Sequence, residues 1–425
     1  MRRYESYKDS GVEWLGEIPS HWEMQRSKFL FKKIERKVKE IDQIVTCFRD
    51  GQVTLRANRR TDGFTNALKE HGYQGIRKGD LVIHAMDAFA GAIGVSDSDG
   101  KATPVYSVCL PYNKQKVNVY FYAYYLRNLA LSGFITSLAK GIRERSTDFR
   151  YADFAELLLP LPSYSEQQKI AQFLDDKTAK IDQAMDLAEK QIALLKEHKQ
   201  ILIQNAVTRG LTPDVPLKDS GVEWIGQVPE HWEILSIKRL SQVKRGASPR
   251  PIDNPKYFDN DGEYAWVRIS DVTASNMYLL ETTQKLSNLG KSYSVPLMPG
   301  SLFLSIAGSV GKPIITKIKV CIHDGFVYFP EYKQNTKFLY YIFYSEQPYI
   351  GLGKMGTQLN LNTDTVGAIK IPIPPLCEQQ KIADYLDTQT AKIDQAIALK
   401  TAHIEKLKEY KSVLINDVVT GKVQV

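Results

Sequence analysis

Two glycine-rich stretches come nearest to known phosphate-binding chemistry. The stretch 305–312, SIAGSVGK, ends in Gly-Lys like the G-x-x-x-x-G-K-[ST] loop that holds nucleotide phosphates. The first glycine of that pattern would fall at Ile306, however, and Pro313 stands where a hydroxyl should bind magnesium. The stretch 89–94, FAGAIG, resembles a dinucleotide-binding turn, but no strand–helix–strand unit with an acidic residue about 20 positions on supports it. We interpret this second stretch as a tight turn at a strand end.

The residues needed for base modification or metal chemistry also fail to form a pattern. An adenine methyltransferase should carry [DN]-P-P-[FYW] to hold a flipped base, and the nearest stretches, DNPK at 253–256 and IPPL at 373–376, do not fit. His21 and His231 each lie in a His-Trp-Glu sequence with no second histidine to complete a metal pair, so we expect each to pack against the tryptophan that follows it. The sequence therefore predicts no catalytic residue, no metal site and no cofactor in this chain.

The composition is typical of a folded intracellular protein. The chain has 425 residues, of which 43% are hydrophobic and 24% charged, which excludes wholesale disorder and predicts two or three domains. No apolar run approaches the roughly 18 residues of a membrane span, and no signal core follows the N-terminus. The four cysteines are far apart and form no C-x-x-C pair, which fits a reducing compartment. We expect a soluble, cytoplasmic protein.

The net charge of +8 is not spread evenly along the chain. Residues 24–165 carry 22 basic and 14 acidic side chains, and residues 234–377 carry 16 and 10. The long segments 166–209 and 378–422 each carry seven basic and seven acidic side chains. The positive charge therefore belongs to two separate bodies, which is a weak indication of nucleic-acid binding because many solvated surfaces are similar.

The chain contains an internal repeat that predicts its architecture. KDSGVEWLGEIPSHWE at 8–23 returns as KDSGVEWIGQVPEHWE at 218–233, with 12 of 16 positions identical. The segment that begins EQQKIA at 166 returns at 378, with 25 of 43 positions identical. The bodies between these repeats share little sequence. A repeated frame with divergent bodies indicates one scaffold that presents two different recognition surfaces.

The two long segments are predicted to be helices of about 65 Å, since they lack Gly and Pro over more than forty residues. We expect Ser165 to cap the first helix and Gly210 and Gly421 to mark the two ends. Apolar residues recur at the same spacings in both segments and form one stripe on each helix. The predicted spacer-packing residues are Ile170, Leu174, Ile181, Met185, Ile192, Leu195 and Leu202 in the first helix, and Ile382, Leu386, Ile393, Ile397, Ile404, Leu407 and Leu414 in the second.

Each stripe needs a partner, and the other helix is the obvious one. If the two halves are related by a pseudo-two-fold axis, the helices pack antiparallel; the alternative is that each helix docks separately on its own body. The bodies are predicted to be α+β, with strands at 81–85 and 301–306 behind turn residues. Aromatic-rich helices are predicted at 119–132 and 337–346, and we interpret their aromatic residues as core.

These repeats resemble the specificity (S) subunits of type I restriction-modification enzymes over essentially the whole chain. The boxes at Ser10–Glu23 and Ser220–Glu233 are similar to the opening of that family's target-recognition domains. Pro372–Ala383 is similar to its entry into a spacer helix, and 79–83 and 266–272 to segments inside the domains. The first half departs from the family at LPSYS, residues 161–165, where the proline-rich entry is missing.

The resemblance implies an α+β fold with two pseudo-repeated α/β target-recognition domains, separated by a pair of long antiparallel coiled-coil-like helices in a pseudo-two-fold, circular organisation. It implies target-recognition domains at 1–165 and 211–377, a central spacer helix at 166–210 and a C-terminal spacer helix at 378–425. Each domain would read half of a bipartite site in double-stranded DNA, and the helical pair would set the gap. The chain would dock two adenine-methyltransferase (modification) subunits and, through them, restriction subunits. S-adenosylmethionine, ATP and magnesium would then belong to the partners, and this chain would not be catalytic.

Within such domains, Lys and Arg contacts to phosphate position the protein while arginine can grip guanine O6 and N7. Basic residues in loop-like stretches are therefore the candidates for DNA binding. In the first body they are Arg56, Arg59, Arg60, Arg143, Arg145 and Arg150. In the second body they are Arg245, Arg250 and Arg268 as readers, with Lys244, Lys291 and Lys354 as phosphate contacts.

Two other functions are compatible with parts of the sequence. One is an enzyme with a cryptic nuclease or methyltransferase site, which activity of the isolated chain with S-adenosylmethionine or magnesium would reveal. The other is a helical scaffold that holds two protein-binding modules, which DNA binding without sequence preference would favour.

Overall fold

The structure is a computed structural model that describes residues 2–59, 71–138, 149–352 and 361–425. It is an α+β protein, as predicted, and divides into two compact units. Unit 1 comprises residues 1–188 and 402–425, and unit 2 comprises residues 189–401. Each unit therefore contains one α/β body and part of each long helix.

Unit 1 is built on a four-stranded antiparallel sheet in the order β4-β11-β8-β9. Short two-stranded pairs β1-β2, β3-β12, β5-β6 and β7-β10 surround it. The strands are β1 (Tyr7–Asp9), β2 (Glu17–Pro19), β3 (Glu23–Arg26), β4 (Phe31–Lys33), β5 (Val45–Cys47), β6 (Val53–Leu55), β7 (Gln74–Ile76), β8 (Leu81–His84), β9 (Ile93–Val95), β10 (Gly100–Ala102), β11 (Tyr106–Pro111) and β12 (Leu158–Leu161). The helices are α1 (Ser27–Leu30), α2 (Val119–Leu131), α3 (Phe134–Ser137), α4 (Tyr151–Glu156) and the long α5 (Tyr164–Arg209), which continues into unit 2.

Unit 2 is built on a five-stranded sheet in the order β16-β24-β21-β22-β18 and a four-stranded sheet in the order β19-β17-β23-β20. Its strands are β13 (Leu217–Asp219), β14 (Gln227–Pro229), β15 (Glu233–Ser236), β16 (Lys244–Arg245), β17 (Tyr264–Val267), β18 (Tyr278–Leu279), β19 (Gln284–Leu286), β20 (Val295–Leu297), β21 (Leu302–Ser305), β22 (Pro313–Thr316), β23 (Val320–Ile322), β24 (Phe326–Tyr328) and β25 (Lys370–Ile373). Its helices are α6 (Ile237–Leu240), α7 (Ile269–Ala274), α8 (Asn288–Ser292), α9 (Thr336–Tyr344), α10 (Thr363–Ala368) and the long α11 (Leu376–Val419), which continues into unit 1.

The two bodies share one sheet topology although their sequences share little. The order β4-β11-β8-β9 in unit 1 corresponds to β16-β24-β21-β22 in unit 2. In unit 2, β23 pairs parallel with β17 and antiparallel with β20. In unit 1, β10 pairs antiparallel with β7 and joins the start of β5 through a parallel bridge between Ile44 and Lys101. The repeat seen in the flanking sequences therefore extends through both bodies.

Aromatic helices fill the cores, as the sequence predicted. On α2, Phe121, Tyr122 and Tyr125 are fully buried, and α9 buries Phe338, Tyr341 and Phe343 in the same way. The side chains of Asn118 and Asn335 cap these helices by accepting hydrogen bonds from backbone amides of the first turn, at 2.9 Å in each case. These aromatic residues are therefore structural.

The long helices α5 and α11 begin two residues earlier than the repeat suggested. The cap predicted at Ser165 is wrong, because that residue already lies inside α5. The hydroxyl of Ser163 instead accepts a hydrogen bond from the Glu166 amide at 3.3 Å. A glycine with positive φ follows the end of each helix, with φ of 74° at Gly210 and 77° at Gly421, a conformation that glycine adopts without strain.

Within each unit the two long helices pair with each other. In unit 1, Lys411 of α11 donates to Asp182 of α5 at 2.6 Å. In unit 2, Lys400 donates to Gln191 and Lys199 to Asp394, at 2.6 and 2.8 Å. Because the α5 residue number rises as its α11 partner's number falls, the pairing is antiparallel, and the alternative of two separately docked helices is wrong.

The residues of the apolar stripes lie inward on both helices. Ile170, Leu174, Ile181, Ile382, Leu386, Ile393, Ile404 and Leu414 are buried. Met185, Ile192, Leu195, Leu202, Ile397 and Leu407 are half-buried. In contrast, Leu187, Leu194 and Ile201 of α5 are exposed, so the helices are amphipathic with a second, narrower apolar row.

The repeated box packs against the repeated helix start, which explains why the two repeats occur together. His21 contacts Glu166 at 3.0 Å, and His231 contacts Glu378 at 2.8 Å. The expected histidine–tryptophan packing occurs in unit 2, where the rings of His231 and Trp232 lie edge to face 6.4 Å apart. In unit 1 the ring beside His21 is that of Tyr4, 5.6 Å away.

Candidate nucleic-acid interface

In unit 1, two of the predicted DNA-binding residues line one cleft beside the β5-β6 hairpin. The cleft has a volume of about 730 Å³, and Arg56 and Arg59 lie in its wall with Arg49. Arg150 lies elsewhere, at the start of α4, where its backbone amide donates to Asp153 at 3.0 Å. The candidates Arg60, Arg143 and Arg145 lie outside the described residues.

A tight turn between β5 and β6 positions the arginines of this cleft. The Phe48 amide donates to the Gln52 carbonyl at 2.9 Å, and Gly51 takes a positive φ of 88° to close the turn. The Asp50 carboxylate accepts from the Gln52 amide at 3.1 Å. The turn is therefore held by its own hydrogen bonds and presents residues 48–50 at the cleft.

Two arginines of the cleft are each held by a carboxylate and an aromatic ring. The Arg59 guanidinium lies 4.2 Å from the centre of the Phe48 ring and donates to Asp50 at 2.6 Å. The Arg49 guanidinium donates to Asp87 at 2.8 Å and lies 5.9 Å from the Phe89 ring. Both guanidinium groups thus have a fixed orientation while keeping donors unused by these partners.

His84 and Tyr106 form the floor of the same cleft. Their rings meet edge to face at 4.6 Å, and His84 Nδ1 accepts from the Asp87 amide at 3.0 Å. Burial lowers the pKa of His84, and the carboxylate of Asp87 opposes this shift only in part. The imidazole is therefore a neutral, structural neighbour of Asp87 at neutral pH.

In unit 2, Arg245 and Arg250 converge on one turn at Asp324. Arg250 Nη2 donates to the Asp324 carboxylate at 3.0 Å, and Arg245 Nε donates to the Asp324 carbonyl. The Ser248 hydroxyl donates to the same carboxylate at 2.9 Å. Burial opposes ionisation of Asp324, but these hydrogen bonds and the nearby Arg250 lower its pKa overall. The ionised carboxylate therefore holds Ser248 and Arg250, and the backbone carbonyl of the same residue holds Arg245.

The other unit 2 candidates lie on neighbouring elements. Arg268 is exposed at the start of α7, and its backbone amide donates to Asp271 at 2.8 Å. Lys291 of α8 lies 4.0 Å from the centre of the Tyr264 ring. Lys244 is exposed on β16, next to Arg245. Lys354 lies outside the described residues.

The stretch SIAGSVGK has a structural role in unit 2. The Lys312 ammonium donates to the carbonyls of Thr273 and Ser275 at 3.0 and 2.7 Å, at the C-terminal end of α7. Burial lowers the pKa of Lys312. The lysine that would contact phosphate in a nucleotide loop therefore satisfies helix carbonyls.

Among the residues 2–59, 71–138, 149–352 and 361–425, no group of three or more His, Cys, Asp or Glu side chains could hold a metal ion. No helix in that same part of the chain is long and apolar enough to cross a bilayer.

Comparison with known proteins gives consistent matches. Residues 229–409 match the family model for the type I restriction modification DNA specificity domain. The chain is 24% identical to the putative type I restriction enzyme MjaX specificity subunit of Methanocaldococcus jannaschii, covering 97% of this chain and 96% of that protein. It is 27% identical to the MjaVIII specificity subunit of the same organism, over 73% and 72% of the two chains. By these matches the chain is similar to type I restriction enzyme specificity subunits.

The chain shares its fold with two solved structures. A chain from a structure describing complex assembly and conformational transition of the type I restriction-modification system aligns with a TM-score of 0.73 and 16% identity, covering 96% of this chain and 99% of that one. The HsdS subunit of Thermoanaerobacter tengcongensis aligns with a TM-score of 0.56 and 17% identity, over 96% and 98% of the two chains. The predicted fold class is confirmed.

Sequence reasoning missed several residues of the two candidate surfaces. In unit 1 they are Arg49, Asp50 and Asp87, and in unit 2 they are Ser248 and Asp324. A criterion based on basic residue type does not select the carboxylates. Arg49 sits five residues after Ile44 at the end of a short strand, a position whose partner Asp87 is 38 residues away. A local pattern in the sequence contains no signal for such a pair.

Proposed function

We propose that this chain is the DNA sequence-specificity subunit of a type I restriction-modification system, and that each body reads one half of a bipartite target. The observation that carries the proposal is the common sheet topology of two bodies that present different arginine clusters. One scaffold with two unlike recognition surfaces is what a split, asymmetric target requires. We keep the domain boundaries at 165, 210 and 377 as part of this proposal.

The basic side chains supply the two kinds of DNA contact. Arginines held by carboxylates, such as Arg59 and Arg250, suit base edges because a fixed guanidinium can donate two hydrogen bonds at once. Lysines such as Lys244 and Lys291 suit phosphates, which need only a point charge. The candidates outside the described residues belong to the same proposal by sequence alone.

The long helices are proposed to set the gap between the two half-sites. At 1.5 Å per residue, α5 and α11, with 46 and 44 residues, are each about 65–70 Å long. That length exceeds one turn of B-DNA, about 34 Å, which is the usual spacing of two readers on one face. A change in helix length should therefore change the gap.

Docking of the modification subunits is proposed on the outer faces of the long helices. Leu187, Leu194 and Ile201 recur every seven residues on α5 and are all exposed. Such a row is the pattern that a further helix packs against. We propose that two modification subunits bind this chain and that restriction subunits join the complex through them. S-adenosylmethionine, ATP and magnesium would bind to those partner subunits. The chain itself would then be non-catalytic, and the complex cytoplasmic, where its DNA is.

The test is co-expression of the chain with its modification subunit, followed by single-molecule mapping of methylated adenine on genomic DNA. We expect one bipartite motif with a constant gap. Exchange of residues 24–165 for those of a relative should change one half of the motif, and exchange of residues 234–377 should change only the other. DNA binding without sequence preference would favour a helical scaffold with two protein-binding modules instead. Methylation by the isolated chain would favour an enzyme with its own active site.

A second test within unit 1 replaces the candidate DNA contacts Arg143, Arg145 and Arg150. If all three can be replaced by alanine without changing the motif or the affinity, their assignment as DNA contacts is wrong. The exchange of residues 24–165 still tests the body as a whole.

A further inference from the structure

The cleft of unit 1 pairs each exposed guanidinium with a carboxylate. Arg59 and Asp50 form one pair, with Nη1 and Oδ2 2.6 Å apart, and Arg49 and Asp87 form the other, at 2.8 Å. The Arg49 side chain is 63% exposed, so the ion pair does not bury it. Exposed ion pairs contribute little to stability, which makes a purely structural role a weak explanation for two such pairs in one cleft.

The aromatic rings determine which part of each guanidinium is available. The Arg59 guanidinium lies 4.2 Å from the centre of the Phe48 ring. One of its N–H groups donates to the carboxylate of Asp50, in the neighbouring turn. A guanidinium has five N–H donors in a planar fork. With the ring against it and one donor engaged, the remaining donors keep a fixed direction, which is the requirement for gripping two acceptors of one base.

The carboxylates add the complementary half of a base pair. In the major groove guanine presents the acceptors O6 and N7, whereas cytosine presents an N4 amino donor. Arginine matches the first and aspartate the second. An arginine and an aspartate side by side therefore match the edge of a G·C pair, and the same arrangement mismatches an A·T pair, whose thymine presents an acceptor and a methyl group.

Charge in the cleft argues against a site for phosphate alone. Three arginines line it, but so do Asp50 and Asp87. Carboxylates placed beside a phosphate would repel it, while they have a use beside an amino group. The third arginine, Arg56, donates a hydrogen bond from its Nε to the Thr46 hydroxyl at 3.3 Å.

We propose that this cleft is a reading site for G·C base pairs, in which Arg59 with Asp50 and Arg49 with Asp87 each contact one base-pair edge. This inference rests on the proposed function of the chain and names the base-pair class that unit 1 would select. Arg49, Asp50 and Asp87 thereby become specificity-determining residues.

The experiment uses the complex of the full chain with its modification subunits. The wild-type motif is mapped first, and the exchange of residues 24–165 identifies the half that unit 1 reads. The variants Arg59→Ala, Arg49→Ala and Asp50→Asn are then mapped, and their complexes are titrated with duplexes in which each base pair of that half is replaced in turn. Asp50→Asn keeps the shape of the turn and an oxygen acceptor for the Gln52 amide, so it tests the carboxylate without unfolding the hairpin.

The matched control is Arg26→Ala. Arg26 is an exposed arginine of unit 1 that is paired with Glu156, and it is not part of the cleft wall. It should leave the motif and the discrimination among duplexes unchanged.

We expect each cleft variant to relax one G·C position of that half, with discrimination falling by about tenfold to a hundredfold. An unchanged motif in all three variants would overturn the inference and leave the proposed function standing. So would a uniform loss of affinity with a smaller salt dependence, which marks a phosphate contact. A wild-type complex with no motif at all would instead remove the proposed function, and the inference with it.

Discussion

The Gln167 side chain joins the start of α5 to the cap of α2 through the backbone of Asn118. Gln167 Oε1 accepts from the Asn118 amide at 2.8 Å, and its Nε2 donates to the Lys116 and Pro162 carbonyls at 2.9 and 2.8 Å. In unit 2, Gln379 accepts from the Asn335 amide at 3.0 Å and donates to the Pro374 carbonyl at 2.8 Å. The repeated EQQKIA motif is therefore a structural joint between helix and body.

These hydrogen bonds predict unequal effects on stability for substitutions at two adjacent glutamines. Gln167→Leu should destabilise unit 1 by about 2–4 kcal/mol, because it leaves the part-buried Asn118 amide and the Lys116 and Pro162 carbonyls without this partner. Gln168→Leu, at an exposed position, should change stability by less than about 0.5 kcal/mol. Urea unfolding followed by far-UV circular dichroism measures both. Equal effects of the two substitutions would mean that the joint carries no stability.

Packing of the long helices is tested by two leucines on α5. Leu174 is fully buried, whereas Leu194 is 63% exposed. Leu174→Ala should cost about 2–4 kcal/mol because it removes buried methyl groups and leaves a cavity. Leu194→Ala should be nearly neutral for the isolated chain in the same urea titration. If binding of the modification subunit is measured instead, Leu194→Ala is expected to weaken it, and Leu174→Ala to act only through stability.

The elements that the sequence predicted well are those with a periodic signal. The apolar stripes recur along helices of more than forty residues, α5 and α11, and the strands β8 and β21 follow turn glycines, so local rules were sufficient. The contact between His21 and Glu166 joins residues that are 145 positions apart, and no local sequence pattern predicts it. The repeat did show that both sequences occur together, but not that they touch.

The recognition surfaces were predicted less completely for a related reason. Residue type alone indicates Arg59 and Arg250 as candidates. It does not indicate the carboxylate that orients each of them. Asp50 lies nine residues from Arg59 and Asp324 lies 74 residues from Arg250. Which carboxylate meets which guanidinium depends on the pairing of strands, and strand pairing is a property of the folded chain.

The pH dependence of unit 2 should show the titration of the half-buried imidazole of His323. Burial lowers its pKa, Asp324 opposes the shift, and Arg268 and Arg245 add to it. In the unfolded chain the imidazole titrates near its ordinary value of about 6.5. The unfolded state therefore binds more protons just below that value, so stability is complete above pH 6.5 or so and falls as the pH drops towards the folded pKa.

Hydrogen exchange of the segment 320–328, corrected for intrinsic rates, measures that loss locally. Protection should decrease from pH 7 to pH 5 in the wild type and decrease less in His323→Asn. His198→Asn, on the exposed face of α5, is the control and should follow the wild type. A wild-type segment whose protection is constant over this range would contradict the expectation.

The last prediction separates base reading from phosphate contact in unit 2. Arg250→Ala should relax one position in the half of the motif that follows residues 234–377, because Asp324 orients a guanidinium that remains mostly exposed. Asp324→Asn should relax the same position, since it removes the charge that holds Arg250. Lys244→Ala should instead weaken binding to all sequences alike and reduce the slope of log K against log salt by about 0.9. Arg239→Ala, at an exposed position on α6, is the control for loss of one positive charge. Motif mapping and salt titration of the same complexes distinguish these outcomes. If Lys244→Ala were the only variant to change base preference, Lys244 would be the base reader and the assignment of Arg250 would be wrong.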